Sequence, residues 1–168
     1  MSITMYQTCV PVLVRALTNL SAVLAKGAAH AAERNIAPEV LLNTRITPDM
    51  FPLIRQVQIA TDMAKGAGAR LAGVEPPKLD DNETTFDELH ARIARVIDIL
   101  QSFTPEQIDG SEDRAIVLKT RTGELHLSGQ DYLLGFVLPN VYFHCTTAYA
   151  ILRGVGVVLG KSDFMGQP

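Results

Sequence analysis

The sequence predicts a mainly all-α protein: a bundle of four helices with one small β-hairpin ahead of the last helix. Three observations carry that expectation. Long segments repeat apolar residues at alternating three- and four-residue steps, the spacing of one helix face. Capping residues and proline–glycine pairs punctuate those segments. Between Arg114 and Ser128 the pattern changes to AIVLK, TRTGE and LHL, which reads as a hairpin with Gly123 in its turn.

The first helix is expected from about Ser2 to Ala32, with Tyr6, Val10, Leu13, Leu17, Leu20 and Leu24 on one stripe and Ser2 as its cap. Pro11 removes a backbone donor and should bend or delay the regular helix. The stretch ERNIAPEVLLNTRI then reads as a connection holding one short helical turn. A second helix should open at Thr47-Pro48-Asp49, a cap followed by a first-turn proline. Its stripe is Met50, Leu53, Val57, Ala60, Ala64, Ala67 and Leu71, and Gly73 with Pro76-Pro77 ends it. Thr85 and Glu88 form the capping-box pattern of a third helix, which buries Phe86, Leu89, Ile93, Val96, Ile97 and Leu100. The last helix, from about Gln130 to Arg153, is apolar on nearly every side. A four-helix bundle leaves each helix an outer face, so this one is expected to line a homodimer interface.

The 168 residues fit one domain, residues 1–168. A composition 47% hydrophobic and 20% charged, with a net charge of −3, can bury a full core. No basic block is present, so neither nucleic acid nor an anionic membrane is an expected partner. The N-terminus has no basic leader, and Gln7, Arg15, Thr18 and Asn19 interrupt its apolar run, so no membrane span is expected. Cys9 and Cys145 lie far apart and read as reduced thiols, which places the protein in the cytoplasm.

Two tempting motifs fail. GVGVVLGKS has the wrong spacing for a phosphate loop, since Val155 stands where the first glycine belongs, and no helix is expected after it. His30, His90 and His126 form no i, i+4 pair and read as surface or boundary residues, and there is no Cys-x-x-Cys. His144 is different. With Leu133 at 0° and about 100° per residue, Asn140 falls near −20°, His144 near +20° and Thr147 near −40°. These polar groups share the stripe of Leu133, Phe136 and Val137 and must find partners when buried. Pro139 should kink the helix where the pair begins. On the second helix Asp49 and Gln56 flank the apolar stripe and point toward the same interior, whereas Asp62 and Lys65 read as a solvated ion pair. The candidate pocket is therefore Asn140, His144, Gln56 and Thr147. Tyr142 and Tyr149 share another face, suited to packing or a dimer seam.

The stretches PNVYFHCTTAYAILRGVGVVLGKSDFMG, from Pro139 to Gly166, and DMFPLIRQVQIATDMAKGAGARLAG, from Asp49 to Gly73, resemble the DUF1993 family, related to the DinB/YfiT-like bundles. The resemblance covers nearly the whole chain and implies an up-up-down-down four-helix bundle and frequent dimerisation. Many relatives in that superfamily hold a divalent metal with three histidines, one from the second helix and a His-x-x-x-His pair from the last; thiol-dependent transferases and isomerases are among them. Here the pair reads Asn140-Val141-Tyr142-Phe143-His144, and the second helix has Gln56 and no histidine. Neutral amides are weak ligands beside imidazole. Two readings follow. One is a small-molecule-binding or structural homodimer with no cofactor and a polar pocket around Asn140 and His144. The other is a metal-dependent enzyme of the DinB-like kind, using His144 as a ligand of a divalent metal or as an acid or base.

Overall fold

The computed structural model describes residues 2–120 and 122–166. Helix α1 (Met5–Glu33) is capped by Thr4 rather than by Ser2. The Thr4 hydroxyl accepts from Gln7 N–H at 3.2 Å, and the Gln7 side chain accepts from Thr4 N–H at 3.2 Å. A reciprocal box needs an acceptor three residues past the cap; Ser2 would find Met5 there, which has none. Pro11 lies inside α1 and does not delay its start. The expected short turn is α2 (Pro38–Leu42).

Helix α3 (Leu53–Leu71) begins after Pro52, later than the Thr47-Pro48-Asp49 signal suggests. There the Thr47 hydroxyl donates to Asp49 at 2.6 Å and the Thr47 carbonyl accepts from Met50 N–H at 3.1 Å. Both groups close a local turn instead of starting a helix. From Leu53 onward the predicted stripe is buried throughout. Gly73, at φ 74°, ends the helix by donating to the Arg70 carbonyl. Helix α4 (Phe86–Gln101) has the expected Thr85–Glu88 box, and a short α5 (Pro105–Ile108) follows.

The hairpin is present. Strands β1 (Ile116–Thr120) and β2 (Gly123–Leu127) pair antiparallel, with Ile116 opposite Leu127. Gly123, expected in the turn, is instead the first residue of β2, opposite Thr120. Arg121 lies outside the described residues, as do Met1 and residues 167–168 of the expected domain. A short α6 (Gly129–Asp131) leads through a π-helical segment, Tyr132–Val137, into α7 (Leu138–Gly154).

Helices α1, α4, α3 and α7 form a closed ring around one buried apolar cluster. Side-chain pairs fix their directions. Arg92 meets Thr61 and Asp62, and a Cβ at Gly68 would meet Leu100 and Phe103, so α3 and α4 are parallel. Gln56 meets His144 while Arg70 meets Tyr132, so α3 and α7 are antiparallel. A Cβ at Gly27 would press on Leu152, and a cavity joins Leu20 and Val23 to Cys145, so α1 and α7 are parallel. Ser21 meets His90, and Tyr6 meets Asp109 just beyond the far end of α4, so α1 and α4 are antiparallel. Around the ring from α7 the directions read up, up, down, down; along the chain they read up, down, down, up. Because α3 and α4 are parallel, residues 72–85 must return along a helix about 28 Å long.

The expected kink at Pro139 takes a definite form. A proline ring collides with the carbonyl four residues back and has no N–H to offer it. Here the preceding turn widens, with Leu138 N–H donating to the Leu133 carbonyl five residues back. The final helix is less enclosed than its composition suggests: Leu134, Tyr142 and Phe143 are exposed. After it, α8 (Lys161–Met165) packs on α1, contrary to the expectation that no helix follows the glycine-rich tail. Its first turn is filled by the chain itself, because the Asp163 carboxylate accepts from Gly160 N–H at 2.8 Å. Helix α1 is also, by length and composition, apolar enough to cross a membrane, so the polar residues that interrupt it do not exclude that on composition alone. Its apolar stripe lies in the bundle core.

Candidate functional site

Antiparallel packing of α3 on α7 sets Gln56 against His144, both buried. The Gln56 amide nitrogen donates to the Phe51 carbonyl at 2.8 Å. That bond turns the amide so that its oxygen faces His144 Nδ1, at 2.7 Å. An amide oxygen can only accept, so Nδ1 carries the proton and donates to Gln56. Burial, helped by the nearby positive charge of Arg55, holds the His144 pKa below its ordinary value, so the ring is neutral at pH 7. Nε2 then presents a lone pair. It has no partner among the described residues, yet it is not sealed in, since the only fully buried, unpartnered side-chain nitrogen or oxygen among them is the Ser111 hydroxyl. The Phe143 ring stands edge-on to the imidazole, 5.2 Å between centroids.

The other expected pocket residues sit differently. Thr147 is buried one turn beyond His144, but its hydroxyl donates to the Phe143 carbonyl at 2.8 Å. Asn140 is half-buried, and its amide donates to the Phe136 carbonyl at 2.7 Å rather than to His144. Asp49 is exposed and bound to Thr47, because α3 starts beyond it. Sequence reasoning missed two contributors, the Phe51 carbonyl and Arg55. Arg55 adjoins Gln56 in sequence; a backbone carbonyl leaves no sequence signal at all.

Two readings of other polar residues are corrected. The expected Asp62–Lys65 pair forms, at 2.9 Å, but Lys65 is buried and Asp62 also belongs to a larger, partly buried charge cluster. At its centre the buried Arg92 contacts Asp62 at 2.9 Å, Asp81 at 3.0 Å and Glu83 at 2.9 Å, and also donates to the Thr61 hydroxyl and the Asp80 carbonyl. Burial works against its charge, but the three carboxylates outweigh that and raise its pKa. Arg55 adds a pair with Asp81 and a bond to Gln58. Asp81 and Glu83 lie on the returning segment 72–85, so this cluster clips the crossover onto α3 and α4. His30 is buried in the last turn of α1 rather than at a surface, because the chain past α7 folds over it with Val157 and Leu159 inside. His90 is a boundary residue, its Nδ1 2.8 Å from the Ser21 hydroxyl, and His126 is exposed.

The donor set does not fit a superfamily-type metal. At the three corresponding positions one imidazole faces one neutral amide oxygen, and the second amide is bound to its own helix. Among the described residues no three His, Cys, Asp or Glu side chains converge on one point. The two thiols add nothing, since burial pushes Cys9 and Cys145 up to about 12.

Comparison with known proteins agrees with this architecture. Residues 5–165 match DUF1993, described as a domain of unknown function. A crystal structure of a DinB family member from Shewanella denitrificans is 40% identical and superposes with a TM-score of 0.88, covering 97% of this chain and 92% of that one. No curated protein matches. With a bundle of this topology and a family match across nearly its full length, the chain belongs to the DUF1993 family.

Proposed function

We propose that the chain is a small-molecule-binding helical-bundle homodimer whose working centre is the Gln56–His144 pair, acting without a three-histidine metal site. The carrying observation is the relay from the Phe51 carbonyl through Gln56 to His144 Nδ1. It assigns the imidazole proton to one nitrogen and leaves Nε2 as a preset acceptor for an O–H, N–H or S–H group of a ligand. Phe143 and Asn140 flank it on the same helix.

Dimerisation is supported by the apolar side chains that α7 and the π-helical segment leave uncovered, Leu134, Tyr142 and Phe143. A reducing, cytoplasmic setting suits the two buried, unpaired cysteines. Nitrogen NMR of the His144 ring at pH 7 should show the neutral form protonated on Nδ1, and elemental analysis should show less than stoichiometric metal. A proton on Nε2 would overturn the relay. Metal near one ion per chain that disappears in His144→Ala would favour the metal-dependent enzyme reading instead. Light scattering should give twice the 18.3 kDa chain mass, and a monomer would overturn the dimer.

A further inference from the structure

An open cleft of about 820 Å³ lies where the end of α3, strand β1 and the π-helical segment meet. Arg70, Arg114, Tyr132 and Phe136 are among its walls. It follows the α3–α7 seam, with Phe136 about 12 Å along the helix from His144.

The charge of this cleft is unusual for the molecule. Arg70, Arg114 and Lys119 line it against one carboxylate, Glu75. Neither arginine has a carboxylate partner among the described residues, although Arg55 and Arg92 do. Bringing unpaired guanidiniums to one concave surface raises the local positive potential and favours an anion there.

Both arginines also have prepared seats. A Cβ at Gly66 would collide with the Arg70 guanidinium, so a helix-weakening glycine leaves room for Arg70 to lie on α3 and donate to the Tyr132 hydroxyl at 3.0 Å. A Cβ at Gly73 would collide with the Arg114 guanidinium in the same way. The buried Tyr132 stacks on Phe136 with centroids 6.1 Å apart and so holds that half-buried ring beside the cationic groups.

We propose that this cleft binds a small organic anion, a carboxylate or phosphate on a flat apolar body, with Arg70 and Arg114 clamping the charged group and the half-buried Phe136 ring receiving the body. The site does not depend on the tautomer of His144, so it stands or falls separately from the function proposed above.

Titration with phenyl phosphate, phenylacetate and inorganic phosphate, followed by NMR of the intact protein, tests it. Saturable shifts at the Arg70 and Arg114 side chains and at β1 are expected, weakening as salt is added. Arg114→Gln should weaken binding about tenfold, the effect of losing one charge-assisted contact. Gly66→Ala should stay folded, since alanine favours the helix, yet weaken binding by displacing Arg70. Arg95→Gln removes an exposed arginine lining another cavity and should leave the affinity unchanged. Phenyl phosphate and phenylacetate differ in their charged group, so their relative affinity tells phosphate from carboxylate ligands. Absence of saturable shifts with all three probes would overturn the proposal. So would equal weakening in Arg95→Gln, which would mark a net-charge effect. Inorganic phosphate binding as tightly as phenyl phosphate would overturn the aromatic part of the site.

Discussion

Arg92 and the Gln56–His144 pair are both buried polar groups touching α3, and they differ in what remains unspent. Arg92 meets three carboxylates, a hydroxyl and a carbonyl, and so does its work inside the fold, clipping the 72–85 crossover. His144 spends Nδ1 on Gln56 and keeps Nε2 without a partner among the described residues. Burial of a polar group therefore does not by itself mark a site in this molecule. The residue that retains an unused donor or acceptor is the one able to act on something else.

The contrast can be tested by removing one side at a time. The largest effect should come from Arg92→Met, which removes the cation from Glu83, leaving it only the Gln58 amide, and leaves Asp62 with Lys65 alone. We expect a loss of about 3 kcal/mol, the low end for breaking a buried ion pair, because Asp62 and Asp81 keep 34% and 36% of their side-chain surface. Urea unfolding would measure it, and a change below about 1 kcal/mol, as for a surface pair, would break the comparison.

Gln56→Leu should cost less, about 2 kcal/mol, by leaving the Phe51 carbonyl and His144 Nδ1–H without partners. Its sharper readout is the ring itself: the strict preference for the Nδ1 proton should disappear from the nitrogen spectrum, which a purely structural role for Gln56 would leave intact.

The smallest effect is a pH dependence. Folding lowers the His144 pKa below its ordinary 6.5, so the unfolded chain takes the proton more readily. His144 thus costs no stability above about pH 6.5, and a growing amount as the pH falls toward the folded value. Urea midpoints taken from about pH 7.5 down to about pH 5 should fall less steeply in His144→Leu than in the parent. Equal slopes would mean that the imidazole is not held neutral by the fold.

Most of the fold is legible in the sequence because it is written in local periodicity. The α3 stripe from Leu53 to Leu71, the Thr85–Glu88 box and the β1–β2 alternation each depend on residues a few positions apart. The start of α3 was obscured because Thr47-Pro48-Asp49 has the chemistry of both a helix cap and a closed turn, and the turn wins. The charge cluster was illegible for another reason: Asp62 and Lys65 look like a surface pair until α4 brings Arg92 beside them. Of the candidate site, helical spacing located His144 and Gln56 but overstated Asn140. Spacing gives the face a side chain occupies; it does not say that a carbonyl one turn back on the same helix, that of Phe136, will claim the amide first.

The widened turn before α7 also bears on how chain length varies in this fold. A π-helical turn is an α-helical turn holding one surplus residue, with the helices on either side keeping their phase. In this chain the surplus serves Pro139, whose ring could not otherwise follow the Gly135 carbonyl. A chain of the same fold without that proline has no use for the extra residue. One-residue gaps in an alignment of such chains should therefore fall between Tyr132 and Val137 and accompany loss of the proline; gaps scattered along the helix would contradict this. The segment is a place where a core helix can gain or lose a residue without turning the faces it presents.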